Sequence, residues 1–354
     1  MDPELFRSTL TRQLDNHASK WQPQVAVHAP DLGIEYQYGD ADRPYHSAST
    51  GKLVTAALIM QLVQRRELAL DTPVVSVLDP AEVRGIFADG QLGKVTIEQL
   101  LEHTSGANDY FLGRANGPTI YEQAVQDLGK RWTPADLLAH ARERQKPVAD
   151  PGKRFFYSDT GFIVLGRILE EKTGLEFHNL VHERIFDPLG MASAFMPGLS
   201  GSRRGVDKLA PLYLGATRVD TANALTIDWA GGGLAATPAD YLTMLKALRT
   251  GVLFDKERWD WMVKPRHRYR WGLHYGAGNM TVKFEGLMPW LRGRPRLHGH
   301  LGVTSAHLWY DPVHRADIAI NYGSTKAMRP SFVALIAVVE TLRKLSKEGG
   351  CARA

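Results

Sequence analysis

The chain has 354 residues, of which 44% are hydrophobic and 23% charged, and its formal net charge at pH 7 is +5. These values are ordinary for a soluble globular protein, and the length suffices for about two domains with separate cores. No stretch reaches the roughly 18 apolar residues of a membrane span, and a single cysteine, Cys351, excludes an intrachain disulfide. Because the first residues contain no apolar export signal, we expect a cytoplasmic protein, or a periplasmic or secreted one if such a signal was removed.

The hydrophobic periodicity changes from helical to strand-like along the chain. A predicted helix over residues 6–20 is followed by a hairpin of two strands, 25–29 and 34–38, around a turn at 30–33. Helical patterns dominate from residue 49 to residue 253, and a last helix over 332–345 closes the chain. Before that helix, strand patterns recur at 270–275, 280–284, 296–301, 305–310 and 317–321.

The first motif with chemical significance is Ser49-Thr50-Gly51-Lys52, which opens a buried helix. The residues that follow, 53–63, are almost all apolar and include neither Gly nor Pro. Residues three apart share a helix face, with Cβ atoms about 5–6 Å apart, so the Ser49 hydroxyl can meet the Lys52 ammonium. Burial lowers the pKa of a lysine, which can then take the proton of a serine nucleophile. Alone, the pattern more often marks a serine helix cap and a solvated lysine.

Two further motifs follow at long range and in a fixed order. Tyr157-Ser158-Asp159 stands just before the apolar helical run 162–169. His300-Leu301-Gly302 lies in a strand-like segment, 297–303, whose glycines allow a close approach to the backbone. In isolation, Tyr157 would be interpreted as a core tyrosine and His300 as a structural histidine of a strand.

The order Ser-x-x-Lys, Tyr-x-Asp and His-x-Gly resembles that of the penicillin-recognising serine hydrolases. It is most similar to their class C β-lactamase-like branch, which includes the family VIII carboxylesterases. Three other segments resemble the family's patterns, namely residues 68–74 (LALDTPV), 95–106 (VTIEQLLEHTSG) and 231–241 (GGGLAATPADY). The matches run in one order from Tyr45 to Asn321 and therefore cover most of the chain.

The resemblance implies an α+β fold of the β-lactamase and transpeptidase type. In this fold an antiparallel sheet built from N-terminal and C-terminal strands is flanked by helices, and a mostly helical domain is inserted. We expect the sheet domain to comprise residues 1–55 and 260–354, and the helical domain residues 56–259. The active site would lie at the interface between the two, where clefts usually form.

The resemblance also implies catalytic roles. Ser49 would be the acylated nucleophile, Lys52 its proton acceptor, and Tyr157 the second acid and base. The backbone N–H groups of Ser49 and Val303 would form the oxyanion hole, in which one donor is typically worth on the order of 3 kcal/mol of barrier. Because the ordinary pKa of tyrosine is about 10, Tyr157 needs a nearby cation, and Lys52 and His300 are the candidates.

Substrate contacts are expected from Asp159, His300 and Gly302, since a side chain at 302 would obstruct a substrate lying along the strand. The β-lactamases of this branch have Asn in place of Asp159 and Lys in place of His300. An ionised Asp159 only accepts hydrogen bonds and can hold Lys52 charged, and His300 removes a permanent cation that suits the carboxylate of a β-lactam.

Both departures are typical of the esterases and of some peptidases of this fold. We therefore expect a serine hydrolase that acts on small carboxylic esters. β-Lactamase or D-amino-acid peptidase (DD-carboxypeptidase) activity is the alternative, and a non-catalytic homologue that binds an acyl ligand is a third hypothesis.

Other candidate residues receive structural interpretations. His298 and His300 share a strand face, but no third ligand has a useful spacing, so we expect no metal and no cofactor. His103 is interpreted as a packing residue. Five aromatic residues could line an acyl pocket, although core packing explains most of them: Phe111, Tyr213, Trp229, Trp271 and Trp290.

The basic cluster from Lys264 to Arg270 could meet an anionic substrate or surface, but a solvated loop is the favoured interpretation. Nothing in the sequence supports nucleic-acid binding. The expected partner is a small-molecule ester or amide, and the acyl group and oligomeric state are left open.

Overall fold

The computed structural model describes residues 3–351, with side chains from residue 4 to residue 347, so the side chain of Cys351 lies outside the described part. Its strands are β1 (Gln24–Ala29), β2 (Ile34–Tyr38), β3 (Tyr45–His46), β4 (Tyr213–Leu214), β5 (Thr217–Arg218), β6 (Ala235–Ala236), β7 (His267–Arg270), β8 (Leu273–Tyr275), β9 (Met280–Val282), β10 (Leu297–Leu301), β11 (Ala306–Asp311) and β12 (Ala316–Asn321). Its helices are α1 (Pro3–Trp21), α2 (Lys52–Gln64), α3 (Pro80–Val83), α4 (Ile97–Leu101), α5 (Ile120–Gln126), α6 (Pro134–Arg144), α7 (Asp159–Thr173), α8 (Phe177–Val181), α9 (Trp229–Gly232), α10 (Pro238–Arg249), α11 (Lys256–Val263) and α12 (Met328–Cys351).

Eight strands form one sheet in which every neighbouring pair is antiparallel. The order is β2-β1-β12-β11-β10-β9-β8-β7. The N-terminal hairpin therefore joins the C-terminal strands through β1 and β12, where Val25 lies opposite Ile320. The predicted α+β fold, with both ends of the chain in one antiparallel sheet, is confirmed.

One predicted strand needs a correction. The segment 270–275 is not a single strand, because β7 ends at Arg270, the chain turns at Trp271 and Gly272, and β8 begins at Leu273. Gly272 has φ of 69°, a left-handed conformation that favours glycine. The alternating apolar pattern runs through this turn, and only the glycine marks it.

The centre of the sheet is covered on both faces, since successive side chains of a strand point to opposite sides. In β12, Ile318 and Ile320 join the hydrophobic cluster of α1 and α12, whereas Ala319 joins the cluster of the helical region. Helix α10 packs against β1, β11 and β12 on that second side.

The helices of the middle region carry recognisable start signals. Helices α4, α5, α6 and α10 each begin with a capping box. In each, the hydroxyl of a threonine N-cap accepts a hydrogen bond from the backbone N–H of the third helical residue, and the side chain of that residue accepts one from the threonine N–H. Helix α2 differs, because every residue from Lys52 to Met60 is buried. It therefore carries the lysine of the first motif into the interior.

The sheet is built from residues 24–38 and 267–321, and helices α2 to α11 lie between these parts in sequence. The proposed domain boundaries at 55/56 and 259/260 stay a prediction. Between residues 3 and 351 no helix combines the length and the apolar character that crossing a membrane requires.

Candidate active site

Ser49 lies in a tight turn that leads directly into a buried helix. Residues Ala48–Gly51 form a 3-10 turn, and α2 begins at Lys52. Ala48 has φ of 46°, which is uncommon for a residue other than glycine. The turn is held by the Ser47 N–H, which donates to the Leu234 carbonyl at 2.8 Å, and by the Ala48 N–H, which donates to His46 Nδ1 at 3.1 Å. Strained backbone of this kind is frequent at functional sites.

The Lys52 ammonium is fully buried and has three acceptors. Its Nζ donates to Ser49 Oγ at 3.2 Å, to the Gly231 carbonyl at 2.7 Å and to an oxygen of Asp159. An ammonium has three N–H bonds, so each is satisfied. Lys52 thus contacts both Ser49 of its own motif and Asp159, which lies more than 100 positions further along the chain.

The segment Ala230–Gly232 is bonded to the nucleophile turn and to α2. Thr55 Oγ1 donates a hydrogen bond to the Ala230 carbonyl at 2.6 Å, and Ser47 Oγ donates one to the Gly232 carbonyl at 2.5 Å. Between them, the Gly231 carbonyl accepts the hydrogen bond from Lys52. Gly232 has φ of +149°, and a Cβ there would lie 2.1 Å from the Ala48 carbonyl oxygen. Only glycine allows this approach. The sequence marks this segment as a family pattern but gives no sign of the contact.

Tyr157 lies beside the nucleophile. Its hydroxyl is buried, and Lys52 Nζ lies 5.3 Å from its ring centroid. Burial, with the Asp159 carboxylate second, raises the pKa of Tyr157 well above its ordinary value, while the Ser49 hydroxyl acts in the opposite direction. Tyr157 therefore carries its proton at rest.

His300 lies behind Tyr157 and not in the wall of the cavity described below. It is completely buried, its ring centroid is 6.4 Å from that of Tyr157, and its Nε2 lies 3.3 Å from the Tyr275 hydroxyl. Burial and the charge of Lys52 lower the pKa of His300 to about 3, so it is neutral at pH 7. His300 therefore supplies no cation to Tyr157, which leaves Lys52 as the candidate.

His103 also packs behind Tyr157. Its ring centroid lies 4.3 Å from that of Tyr157, and its Nδ1 accepts the Ser158 N–H at 3.2 Å. Burial, chiefly, lowers the pKa of His103 well below its ordinary value. A neutral, buried histidine agrees with the packing interpretation.

Two free N–H groups face the same region. Neither the Ser49 N–H nor the Val303 N–H donates to an acceptor within residues 3–351, and both residues line the cavity. The intervening Gly302 brings β10 onto the nucleophile turn, because a Cβ at 302 would lie 2.9 Å from Ala48 Cβ and 2.9 Å from the Ser47 carbonyl oxygen. Glycine at 302 is thus required by packing between protein segments, and its role in clearance for substrate along the cavity wall stays a prediction.

A cavity of about 930 Å³ opens over Ser49. Tyr157, Asp159, Gly302 and Val303 line it together with Ser49, and its remaining lining is mostly apolar. Of the five aromatic candidates for an acyl pocket, Phe111 and Trp271 line the cavity, and Tyr213, Trp229 and Trp290 do not.

Two carboxyl groups in the cavity wall had no signal in the sequence. Burial and the neighbouring Asp159 raise the pKa of Asp109 to about 7 and that of Asp228 to about 7, with Lys52 opposing the effect at Asp228. Asp109 accepts the N–H of Asp159 at 3.0 Å and that of Leu112 at 2.9 Å. It therefore fixes the start of α7, and with it the position of Asp159.

No cluster of three or more His, Cys, Asp or Glu side chains that could hold a metal ion occurs in the described part of the chain. His298, which the sequence places on the same strand face as His300, instead has its Nδ1 at 3.2 Å from Thr281 Oγ1.

The fold is that of β-lactamase and transpeptidase-like proteins, and the site brings together Ser49, Lys52 and Tyr157 from the first two motifs. Residues 34–340 match the family model described as Beta-lactamase, so the chain belongs to this family of serine hydrolases, which includes esterases and amidases. The resemblance found in the motifs is thereby confirmed.

Curated relatives cover parts of the chain. Penicillin-binding protein 4 of Amycolatopsis lactamdurans is 35% identical over 155 residues, which are 42% of this chain and 35% of that protein. Esterase EstB of Burkholderia gladioli is 35% identical over 152 residues, which are 42% of this chain and 38% of that protein. The chain thus matches little more than a third of the length of these two relatives.

Solved structures align with nearly the whole chain. A D-stereospecific amidohydrolase from Streptomyces sp. has a TM-score of 0.75 at 25% identity and covers 90% of this chain and 94% of its own. The D-amino acid amidase of Ochrobactrum anthropi SV3 has a TM-score of 0.77 at 22% identity, and the alignment covers 95% of this chain and 98% of the amidase. At that identity the second likeness concerns the fold alone.

Proposed function

We propose that the protein hydrolyses small carboxylic esters through a covalent acyl-enzyme on Ser49. The observation that carries this proposal is the 3.2 Å hydrogen bond between Lys52 Nζ and Ser49 Oγ at the base of an open cavity. The Ser49 and Val303 N–H groups are free beside it, and together they suit the oxyanion of a tetrahedral intermediate.

Acylation begins with proton transfers among three side chains. Lys52 passes one proton to its partner Asp159 and, now neutral, accepts the proton of the Ser49 hydroxyl. The Ser49 oxygen forms a bond to the ester carbonyl carbon, and the carbonyl electron pair moves onto its oxygen. The oxyanion then lies between the two backbone N–H groups.

Collapse of this intermediate requires a proton for the leaving alcohol. Tyr157 is the donor in this scheme, because its hydroxyl is protonated at rest and lies beside the Ser49 hydroxyl. It gives its proton to the leaving oxygen as the carbon–oxygen bond breaks, and Lys52 returns a proton to the phenolate. Water then attacks the acyl carbon by the same route in reverse, which releases the carboxylic acid and restores Ser49.

Ester hydrolysis is favoured over β-lactam hydrolysis by two features of the site. His300 is neutral and outside the cavity wall, so the strand offers no cation to a β-lactam carboxylate. Asp159 is engaged with Lys52 and presents no amide to a substrate.

Amide hydrolysis is the second candidate function. An amide nitrogen leaves only when it is protonated, and the undissociated Tyr157 hydroxyl can supply that proton. The likeness to the D-stereospecific amidohydrolase supports an amide substrate of this kind.

The test compares wild-type protein with Ser49→Ala on a short p-nitrophenyl ester, a chromogenic cephalosporin and a D-amino acid p-nitroanilide. We expect the wild-type kcat/KM to be highest for the ester. Ser49→Ala should lower kcat/KM for the ester at least about a thousandfold and leave the melting temperature unchanged. Ser8→Ala, an exposed serine on α1, is the matched control.

Full activity of Ser49→Ala would remove Ser49 from the mechanism. A faster reaction with the anilide or the cephalosporin would replace the ester by that substrate class. If a substrate acylates Ser49, as seen by mass spectrometry, but is not released, the protein binds acyl groups without turnover.

A further inference from the structure

Exposed tryptophans stand on two neighbouring loops at the edge of the sheet. Trp271, in the turn between β7 and β8, is 77% exposed, and Trp290, between β9 and β10, is 73% exposed. Met288 in the second loop is also exposed. Soluble proteins rarely leave several large apolar side chains uncovered in one place, and such patches mark interaction sites.

The two loops pack against each other, so their exposed side chains form one surface. A Cβ at Gly272 would lie 2.6 Å from the Leu287 side chain, and the Lys283 N–H donates to the Gly272 carbonyl at 2.7 Å. Leu287 precedes Met288 directly. Glycine at 272 thus allows the second loop to rest on the first.

This surface adjoins the opening of the active-site cavity. Trp271 and Leu287 belong both to the loops and to the cavity lining. Leu112, which is 54% exposed, lines the cavity as well. The exposed surface of the two loops and the cavity that contains Ser49 therefore share residues.

The same surface is strongly basic. Between residues 264 and 296 the sequence contains eight lysines and arginines and one acidic residue, Glu285. Arg266 is paired with Glu102 and Arg294 with Glu340.

Arg268 and Arg270, by contrast, are exposed and have no carboxylate partner among the side chains described. Their guanidinium groups lie over the rings of Trp271, at 5.6 Å, and Tyr269, at 5.2 Å. Their positive charge is therefore available to an external anion.

Tryptophan and arginine together are the combination that binds the interface of an anionic bilayer. Tryptophan rings settle at the headgroup level, the arginine stems cover apolar surface, and their charges meet lipid phosphates. Exposed tryptophan beside unpaired arginine suits the headgroup level of an anionic bilayer, where aromatic rings and lipid phosphates lie side by side. The chemistry of this surface thus favours a lipid surface over a protein partner.

We propose that two segments, residues 268–273 around the β7–β8 turn and residues 285–292 between β9 and β10, form a docking surface for an anionic lipid membrane. Docking would present the opening of the active-site cavity to ester substrates dissolved in that membrane. Docking involves no covalent step and does not depend on hydrolysis. The use of docking to deliver substrate rests on the proposed esterase function.

The experiment uses the full chain with Ser49→Ala, so that binding is measured without turnover. Sedimentation with vesicles of phosphatidylglycerol and phosphatidylcholine in equal amounts is compared with pure phosphatidylcholine vesicles, at about 0.1 M salt. We expect binding to the anionic vesicles at least about tenfold tighter. Raising the salt should weaken it, since charge attraction is screened.

Single variants separate the apolar contribution to vesicle binding from the electrostatic contribution. Trp290→Ser is expected to weaken binding about tenfold, and Arg268→Gln about fivefold, which is the effect of one basic residue near an anionic surface. Val252→Ser, an equally exposed apolar residue outside the loops, and Arg12→Gln on α1 are the matched controls and should bind as the parent does. Melting temperatures check that each variant is folded.

Equal binding to both vesicle types, or no binding to either, would overturn the proposal. So would an equal loss in the control variants, which would indicate a general charge effect. Binding to polyglutamate without binding to vesicles would replace the membrane by an acidic protein. Because Ser49→Ala is inactive by design, failure to dock and failure of ester hydrolysis are observed in separate experiments.

Discussion

The ammonium group of Lys52 is fully buried, and each of its three N–H bonds has an acceptor. Burying a charge without partners is costly, so a lysine can occupy this position only with a counter-ion and further acceptors. Asp159 supplies the counter-ion and the Gly231 carbonyl the second acceptor. The third N–H is thereby directed at Ser49, and the charge pair orients the catalytic hydrogen bond.

At this scale the first prediction concerns Asp159→Asn. We expect kcat for a p-nitrophenyl ester to fall at least about tenfold, because Lys52 loses both its counter-ion and the acceptor of its proton. The ratio of cephalosporin to ester turnover should rise, since an asparagine amide can donate to the amide of a β-lactam. Asp89→Asn, an exposed aspartate, is the control. An unchanged kcat would show that Lys52 acts without Asp159.

The nucleophile turn is a short element clamped between two others. On one side the Ala230–Gly232 carbonyls accept hydrogen bonds from Ser47, Lys52 and Thr55. On the other side the end of β10 approaches within contact of Ala48 at Gly302. The positive φ of Ala48 is thus fixed from both sides, directly before the Ser49 N–H that is proposed as an oxyanion donor.

Gly302→Ala tests this clamp. The new Cβ would lie 2.9 Å from Ala48 Cβ and 2.9 Å from the Ser47 carbonyl oxygen. Overpacking of this kind costs about 1–3 kcal/mol of unfolding free energy, and here it also separates the two oxyanion donors. We expect both a lower stability in urea and a kcat reduced about tenfold or more.

Gly93→Ala is the matched control, because a Cβ at 93 meets no atom within 4 Å. If Gly302→Ala behaved like Gly93→Ala in both measurements, the spacing of β10 from the turn would not matter for catalysis.

At the scale of the whole molecule, a buried ion pair joins helix α10 to the sheet. Arg249, the last residue of α10, donates from Nε and from a terminal nitrogen to the two oxygens of Asp317 in β12, at 2.8 and 2.7 Å. Its guanidinium lies 4.3 Å from the Tyr310 ring in β11. Asp317 is 1% exposed, so its charge depends on this partner.

Arg249→Met should therefore lower the free energy of unfolding by about 3–5 kcal/mol at pH 7, because it leaves a buried carboxylate unpaired. Burial raises the pKa of Asp317, and Arg249 opposes that shift. In the variant the folded-state pKa rises further above the unfolded value. The folded state then holds the proton more tightly, so its stability falls as the pH rises through the folded pKa.

We thus expect the loss of unfolding free energy in Arg249→Met to be small near pH 4 and to grow toward pH 7. Urea unfolding of both proteins at several pH values measures it. Adding Asp317→Asn to Arg249→Met should restore most of the stability at pH 7. A loss independent of pH would indicate packing, and not charge, as the role of Arg249.

Local signals in the sequence predicted the elements well. Alternating apolar residues located β1, β2 and the strands from β9 to β12, since their inward faces must be hydrophobic. The pattern failed at Trp271 and Gly272, where a turn interrupts an alternation that continues on both sides. The sequence also did not indicate that Asp109 and Asp228 lie in the cavity wall. Their burial and their raised pKa values come from segments that are distant in sequence.

The sequence by itself determined the family, the fold class and the identity of Ser49, Lys52 and Tyr157 as candidates, because short-range spacing and motif order are properties of the chain. Only the tertiary structure decided that Asp159 is the partner of Lys52, that His300 is neutral and behind the site, and that Gly302 is needed for packing. Each of these depends on burial and on contacts between segments far apart in sequence, and the free energy of a charge is set by that environment and not by its neighbours along the chain.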